Sequence, residues 1–417
     1  MSKQVHQVSN VVVASEVRLQ RGPDGSIVCP TGTRDYTFWS RYLDVFRTVT
    51  VVARVNDRRS GGLPVEGDGV RVHAIPDFGG GVGLARRYVS VMKLLGSVVA
   101  LDQSAYILRV PGILGNLLSR MLATQSKPFA VEVVGDPHDV FAPSAIRHPL
   151  RPVLRHWMTR SLRRQCRSAV ATAYVTQQAL QRRYPPSPDT YTTHYSSVEL
   201  PPEAFASEPR RYGRIANSPP YEIVGVGRLN QAYKGADVLV RAIDLCRRRG
   251  MDVRLTWLGD GHTRGELERL AAELDLSDHC RFVGDVPAGS AVRGYLDTAD
   301  LFVMPSRTEG LPRAMIEAMA RGVPCIGSAV GGIPELLEPF EMIPPDDPDR
   351  LAQLMMDTLR DPLRMSEMSE RNLRKAANYA QGVLRAKRRR FYEIVRDRTS
   401  LRFRTSVVSG SPQIANS

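Results

Sequence analysis

The chain has 417 residues, of which 42% are hydrophobic and 24% charged, with a net charge of +14. The length predicts two or three domains with packed interiors, and the composition excludes a disordered chain. No run reaches the roughly 18 apolar residues of a spanning helix, since Val89 to Leu118 is interrupted by Lys93, Asp102 and Arg109.

The positive charge calls for an acidic partner: nucleic acid, an anionic lipid surface or a phosphorylated small molecule. Arg heavily outnumbers Lys, so a compositional bias would also produce a basic surface. The five cysteines are scattered and form no C-x-x-C pair, so they read as reduced thiols of a cytoplasmic protein. The N-terminal apolar run is broken by Glu16 and Arg18 and lacks a small-residue cleavage site, which makes it a first strand and not a secretory signal.

In chain order, the segments 11–14, 49–55, 70–75, 105–109, 130–134 and 169–175 are apolar and β-branched enough for strands. Between them lie the helical stretches 36–46, 85–95, 115–123 and 152–167. Strands alternating with helices predict a parallel sheet covered on both faces. A Pro- and Ser-rich linker, 200–220, separates this first domain, 1–199, from a second, 221–383. There the alternation resumes with strands at 221–225, 253–258 and 280–283 and helices at 235–249, 263–274 and 290–298. The segment 301–337 then reads as strand, polar loop, a helix opened by Pro312, a strand and a glycine turn. Leu311, Met315, Ala318 and Met319 fall on one helical side and are expected to pack on the sheet. Further helices follow Pro348, and 398–417 is expected to be a flexible tail.

Two loops carry the chemistry. In VGVGRLNQAYKGADVLVRAI, Gly225 and Gly227 allow a tight turn, and Arg228 and Lys234 stand beside the start of a helix. Unpaired N–H groups and the positive end of the helix dipole make that a place for phosphate. The spacing is neither a P-loop nor G-x-G-x-x-G, and two solvated cations beside a glycine turn is the plainer alternative. In SRTEGLPRAMIEAMARGVPCIGSAVGGIPELL, Glu309 precedes the helix, Glu317 lies in its second turn, and Gly331-Gly332 opens the turn before Glu335. An ionised carboxylate accepts two hydrogen bonds and suits sugar hydroxyls, whereas it cannot hold phosphate.

Together with WLGDGHTRGELERLAAEL, these two stretches closely resemble the C-terminal half of glycosyltransferase family 4, retaining nucleotide-sugar transferases of the GT-B fold, over about Tyr221 to Val395. The resemblance implies two Rossmann-like domains with parallel sheets facing across a cleft, and a C-terminal helix, about 384–397, packing back on the first. It also implies that Arg228 and Lys234 neutralise the donor diphosphate and that Glu309 lies by the transferred sugar. Gly310, Leu311 and Pro312 would approach sugar and phosphate, Glu317 would hold the ribose, and Val283 and Gly284 would meet the base. In the first domain the match is looser. The glycine loop expected after the first strand is supplied late, by Gly32 and Thr33, and the His expected after a central strand is offset, leaving His138 or Asp136 for that place.

Preorganised cations stabilise the negative charge that develops on a leaving nucleoside diphosphate, so no metal ion and no other cofactor is expected. There is no Asp-x-Asp motif between a strand and a loop, and Asp346-Asp347-x-Asp349 reads as helix capping. The basic segment from Arg147 to Arg167 carries Leu154, Trp157, Met158 and Leu162 at helical spacing. It suits either an anionic bilayer surface or a packed helix with a solvated Arg face. Nucleic acid is not expected, because few aromatics interleave the Arg residues. The expectation is a retaining hexosyltransferase-like enzyme of glycan, polysaccharide or glycolipid biosynthesis, acting on a glycan or lipid-linked acceptor. It would be cytoplasmic, with the inner membrane face as a peripheral surface. Two alternatives share the fold: a nucleotide-sugar epimerase and a non-catalytic nucleotide-sugar-binding partner.

Overall fold

The computed structural model describes residues 8–101, 103–142, 149–198, 200–213, 219–230 and 232–408. Its first sheet contains β1 (Asn10–Arg21), β2 (Ile27–Cys29), β3 (Thr48–Arg59), β4 (Leu63–Pro64), β5 (Val70–Pro76), β6 (Ser104–Val110), β7 (Ala130–Val133), β8 (Ala171–Tyr174) and β9 (Tyr191–His194). Seven strands run parallel in the order β5-β3-β1-β6-β7-β8-β9. The short β2 and β4 are antiparallel additions at the C-terminal end of β1. The second sheet holds β10 (Tyr221–Val226), β11 (Val253–Leu258), β12 (Cys280–Gly284), β13 (Leu301–Met304), β14 (Cys325–Ser328) and β15 (Met342–Ile343), in the order β12-β11-β10-β13-β14-β15 and all parallel.

Both halves are therefore Rossmann-like. In each, the order reverses beside the first strand, and an open parallel sheet has its crevice at the C-terminal ends of the two strands flanking that reversal. In the second half these are β10 and β13, whose following loops carry Arg228 and Lys234 on one side and Glu309 on the other. The apolar set of the helix Arg313–Ala320 packs inward as its spacing predicted: Met315, Ala318 and Met319 are fully buried and Leu311 is partly buried. Pro312 stands one position earlier than expected, at the N-cap, with the helix starting at Arg313. All five cysteines are free and buried.

Residues 200–213 are tied down and do not form a loose tether. The Arg210 guanidinium donates to the carbonyls of Arg321 (3.0 Å), Ala299 (2.6 Å) and Leu296 (2.8 Å), all at helix ends of the second half. The C-terminal helix, Gln381–Val408, is longer than the expected 384–397 and takes in much of the stretch expected to be a flexible tail. Thr399 and Ser400 are buried, and Ser400 Oγ accepts from the backbone N–H of Val8 at 3.2 Å. The remaining tail residues, 409–417, and Arg147 lie outside the described residues.

This helix completes the first half's core. Phe391, Tyr392 and Val395 are fully buried. Tyr392 reaches Glu132 of β7 at 3.5 Å, joining Tyr195 (2.8 Å), Tyr42 (3.0 Å) and the buried Arg109 around one carboxylate. Burial alone would raise the Glu132 pKa, but Arg109, Arg41 and the hydroxyls outweigh it and hold it below the usual range.

Candidate active site

At the switch point of the second sheet a cleft of ≈ 780 Å³ gathers Arg228, Lys234, Glu309, Leu311, Pro312, Arg313 and Glu317. Its opposite rim comes from the first half, through Pro30, Thr31 and Thr33. The expected residues Arg228, Lys234, Glu309, Leu311, Pro312, Glu317 and Thr33 thus share one space. Gly32 sits between two rim residues, its N–H donating to the Cys29 carbonyl at 3.1 Å. Gly310 turns toward the first half, where a Cβ on it would stand 3.7 Å from the Val134 carbonyl oxygen. Val283 and Gly284 end β12 just short of the cleft, and the next residues, Asp285 to Ala288, line it instead.

Backbone geometry brings the two loops together. Gly235 has φ +68°, and a Cβ there would meet the Pro305 carbonyl oxygen at 2.1 Å, so the cation loop can lie against the end of β13 only with glycine at this position. Gly331 has φ +55°, with a Cβ position 1.9 Å from the Glu309 carbonyl oxygen, and the N–H of Gly332 donates to the Gly310 carbonyl at 2.7 Å. Arg307 braces the same junction. It donates to Asp237 (2.7 Å) and Asp346 (2.6 Å), and to the Ala232 carbonyl in the turn that carries Lys234.

Within the cleft, Lys234 Nζ donates to Glu309 Oε1 at 2.5 Å, and Ser306 Oγ donates to the same oxygen at 2.7 Å. The two charged side chains are 16% and 8% exposed, so the pair is largely withdrawn from water. Burial pulls the Lys234 pKa down, but Glu309 and Tyr233 more than offset it and the net shift is upward. Arg228 is exposed and, among the described residues, forms no ion pair. Burial raises the Glu317 pKa, with Arg313 and Arg293 opposing. Its carboxylate makes no hydrogen bond among the described residues and faces the cleft.

The corresponding place in the first half is already filled. Glu16, from β1, accepts the N–H of Leu114 at 2.6 Å at the start of the helix Ile113–Thr124 and pairs with Arg54 at 3.0 Å. A carboxylate thus occupies the helix end at which an anion would otherwise sit.

His138 lies elsewhere. Its Nδ1 is 2.9 Å from Asp139 and 3.1 Å from Arg155, and it lines a separate cavity with Arg151, Arg155, His156 and Arg160. Asp136 is buried and structural, capping His138 N–H at 2.9 Å and accepting from Tyr184 at 2.5 Å. Residues not anticipated from the sequence include Ser306, Arg307, Arg313 and Asp285 to Ala288. Arg313 follows Pro312 directly, and its position at a helix start was the signal that could have found it.

The two halves meet through Glu335. Its carboxylate accepts the backbone N–H groups of Gln177 (2.5 Å), Gln178 (2.9 Å) and Ala179 (2.7 Å). The glycine turn Gly331-Gly332 therefore links Glu309 to the contact between the halves.

The family described as glycosyl transferases group 1 matches residues 220–361. Protein CapJ of Staphylococcus aureus is 24% identical over 77% of this chain and 79% of its own length. A GDP-mannose-dependent alpha-(1-6)-phosphatidylinositol monomannoside mannosyltransferase of Mycolicibacterium smegmatis is 33% identical over 49% of this chain, which spans about half (53%) of that relative. The amylovoran biosynthesis glycosyltransferase AmsK of Erwinia amylovora is 36% identical over 31% of this chain and 34% of its own. Among solved structures, sucrose-phosphate synthase of Thermosynechococcus elongatus superposes with a TM-score of 0.65 at 18% identity, covering 96% of this chain and 100% of that one. Anabaena HepE in complex with UDP and glucose gives 0.61 at 15% identity, with the same coverage. The fold is that of the GT-B glycosyltransferases.

Proposed function

We propose, on the premise that the C-terminal domain belongs to the glycosyl transferases group 1 family, that this protein transfers a sugar from a nucleoside diphosphate donor to a hydroxyl, with retention at the anomeric carbon. The carrying observation is the gathering of Arg228, Lys234, Glu309 and Glu317 in one cleft at a topological switch point. Arg228 and Lys234 stabilise the diphosphate as the anomeric C–O bond breaks, because their charge is preorganised for the leaving group. Glu309, held by Ser306, orients the sugar, and Glu317, whose carboxylate makes no hydrogen bond among the described residues, receives the ribose hydroxyls. Positive charge supplied by the chain itself takes the place a metal ion would have. Product chemistry fits glycan, polysaccharide or glycolipid synthesis, the kind of process named for AmsK.

No helix among the described residues is long and apolar enough to cross a membrane. Peripheral attachment to an anionic surface is supported by the helix Arg151–Ser168, which leaves Leu150, Val153 and Trp157 exposed beside Arg160, Arg163, Arg164 and Arg167. Leu162 and Cys166 on its other side are buried in the core.

A thermal-shift comparison of UDP and GDP tests the donor assignment. A ligand at about 100 times its Kd stabilises by about 2.7 kcal/mol. The matching nucleotide should raise Tm, and Glu317→Gln should remove most of that gain. No shift with either nucleotide would refute the donor site.

A further inference from the structure

One layer of the first half has a charge pattern unlike that of the other helices. The helices Gly80–Val99, Ile113–Thr124 and Arg151–Ser168 lie side by side on one face of the first sheet, the second packed against both of the others, with Leu95, Leu118 and Leu162 in a shared core. The first carries Arg86, Arg87 and Lys93, the second Arg120 and the third six arginines, and none of the three contains an Asp or a Glu. These cations form no ion pair among the described residues. A general excess of Arg would not sort the acids in this way: the second half's helices Ala236–Arg248, Arg264–Glu273 and Pro362–Ala376 each carry two or more carboxylates.

Apolar side chains stand out from the same layer. Val82, Arg86, Val89 and Lys93 form an exposed stripe at i, i+4, i+7 and i+11, and Val153, Trp157, Arg160 and Arg164 repeat that spacing on the third helix. Val89 is 81% and Val153 66% exposed. Single exposed valines are ordinary, but here apolar and cationic residues share one stripe on each of two helices, as in helices that lie in a bilayer interface. A soluble polyanion would use the cations and leave the valines in water.

Topology sets which way the layer points. Each helix joins two strands of a parallel sheet and so runs back against them, starting at the sheet's C-terminal edge. That edge faces the second half, since Val134 and Val175, just past β7 and β8, approach Gly310. Val82, Val89, Val153 and Trp157 all lie in the N-terminal halves of their helices, and therefore toward the cleft.

We propose that these helices seat the protein on an anionic bilayer, the valines and Trp157 entering the interface and the arginines and Lys93 meeting lipid phosphates, with the cleft edge held toward the surface. This rests on the peripheral attachment proposed for Arg151–Ser168 and adds to it a second helix and an orientation; it does not depend on the donor chemistry.

The test uses the full chain and vesicles of phosphatidylcholine alone or mixed in equal parts with phosphatidylglycerol. Of the three tryptophans, Trp39 and Trp257 are buried and Trp157 is exposed, so quenching by lipid reports the third helix. All five cysteines are buried, so Tyr88→Cys carrying an environment-sensitive dye reports the first helix, and Leu363→Cys, exposed on the second half, is the control. The chain should float with the anionic vesicles about tenfold or more better than with the neutral ones. Brominated lipid should quench Trp157 and the dye at position 88, and leave the dye at position 363 unchanged. Arg160→Gln/Arg164→Gln and Val82→Ser/Val89→Ser should each lower partitioning about tenfold or more. Both should keep the thermal unfolding transition, because the replaced side chains are exposed. Absence of flotation, or flotation without quenching, overturns the proposal. So does quenching of Trp157 alone, which would leave a single helix at the surface, and so does binding to heparin in preference to anionic vesicles, which would give the layer to a soluble polyanion. None of these readouts requires UDP or GDP, so failure of the seat and failure of the donor site are told apart.

Discussion

Lys234 and Glu309 neutralise each other in the cleft, Nζ to Oε1 at 2.5 Å. In the proposed reaction the same two groups have different partners, the diphosphate for the lysine and the sugar for the glutamate. Donor binding therefore exchanges an internal ion pair for two contacts to substrate.

Breaking the pair from one side leaves a charge buried without its partner. Lys234→Met is expected to lower stability by about 3 kcal/mol and turnover by at least about tenfold. Lys234→Met/Glu309→Gln should regain most of the stability and none of the activity. Urea denaturation and donor turnover measured on the same samples separate the two effects. A double variant as unstable as the single one would show that the pair is not what holds this junction.

Glu317 should make donor binding sensitive to acid. Burial raises its pKa in the free protein, and only the ionised form accepts both ribose hydroxyls. Nucleotide binding favours the ionised form and lowers that pKa, so complex formation releases protons and weakens as pH falls through the elevated value. Calorimetry in buffers of different ionisation enthalpy should detect the release, and Glu317→Gln should abolish it. The contribution to folding has the opposite sign: a raised carboxyl pKa favours the protonated native state, so this residue adds stability as pH falls.

Glu335→Ala removes three backbone-to-carboxylate hydrogen bonds between the halves. The KM for donor and acceptor should rise severalfold, and small-angle scattering should show a more open ligand-free protein, with each half's own fold retained. An unchanged scattering curve and unchanged KM would mean that other contacts set the closure.

If chain cations alone meet the leaving diphosphate, turnover should persist within about twofold after exhaustive chelation. Loss of activity on chelation, restored by added Mg²⁺ or Mn²⁺, would reassign that role.

Much of this architecture was legible because parallel strands buried on both faces are continuous apolar runs, although β1 runs on to Arg21, seven residues past the expected end, through the charged Glu16 and Arg18. The short β2 and β4 were not legible. Three and two residues carry no period, and Pro64 argues against a strand. Nor was the Thr-rich, half-buried β9. In the site, Arg228, Lys234, Glu309 and Glu317 line one cleft because they lie on the loops and the helix that follow two neighbouring strands of one sheet. Glu132 and Arg109 showed the limit: in sequence each is a charge interrupting an apolar strand, and only the pairing of β6 with β7 joins them. Glu335 was visible beside its glycine turn, yet its partners are backbone N–H groups, which leave no trace in residue identity. His138 had a suggestive position after a strand, but the basic helix Arg151–Ser168 draws it away through Arg155.

The helix Gln381–Val408 has a consequence for how the molecule is made. Tyr392 and Phe391 fill the interior of the first half, so in synthesis that interior can be completed only after the second half has emerged. The second half can close its own sheet first. Truncating the chain before Gln381 should therefore leave a folded second half attached to an incompletely packed first half.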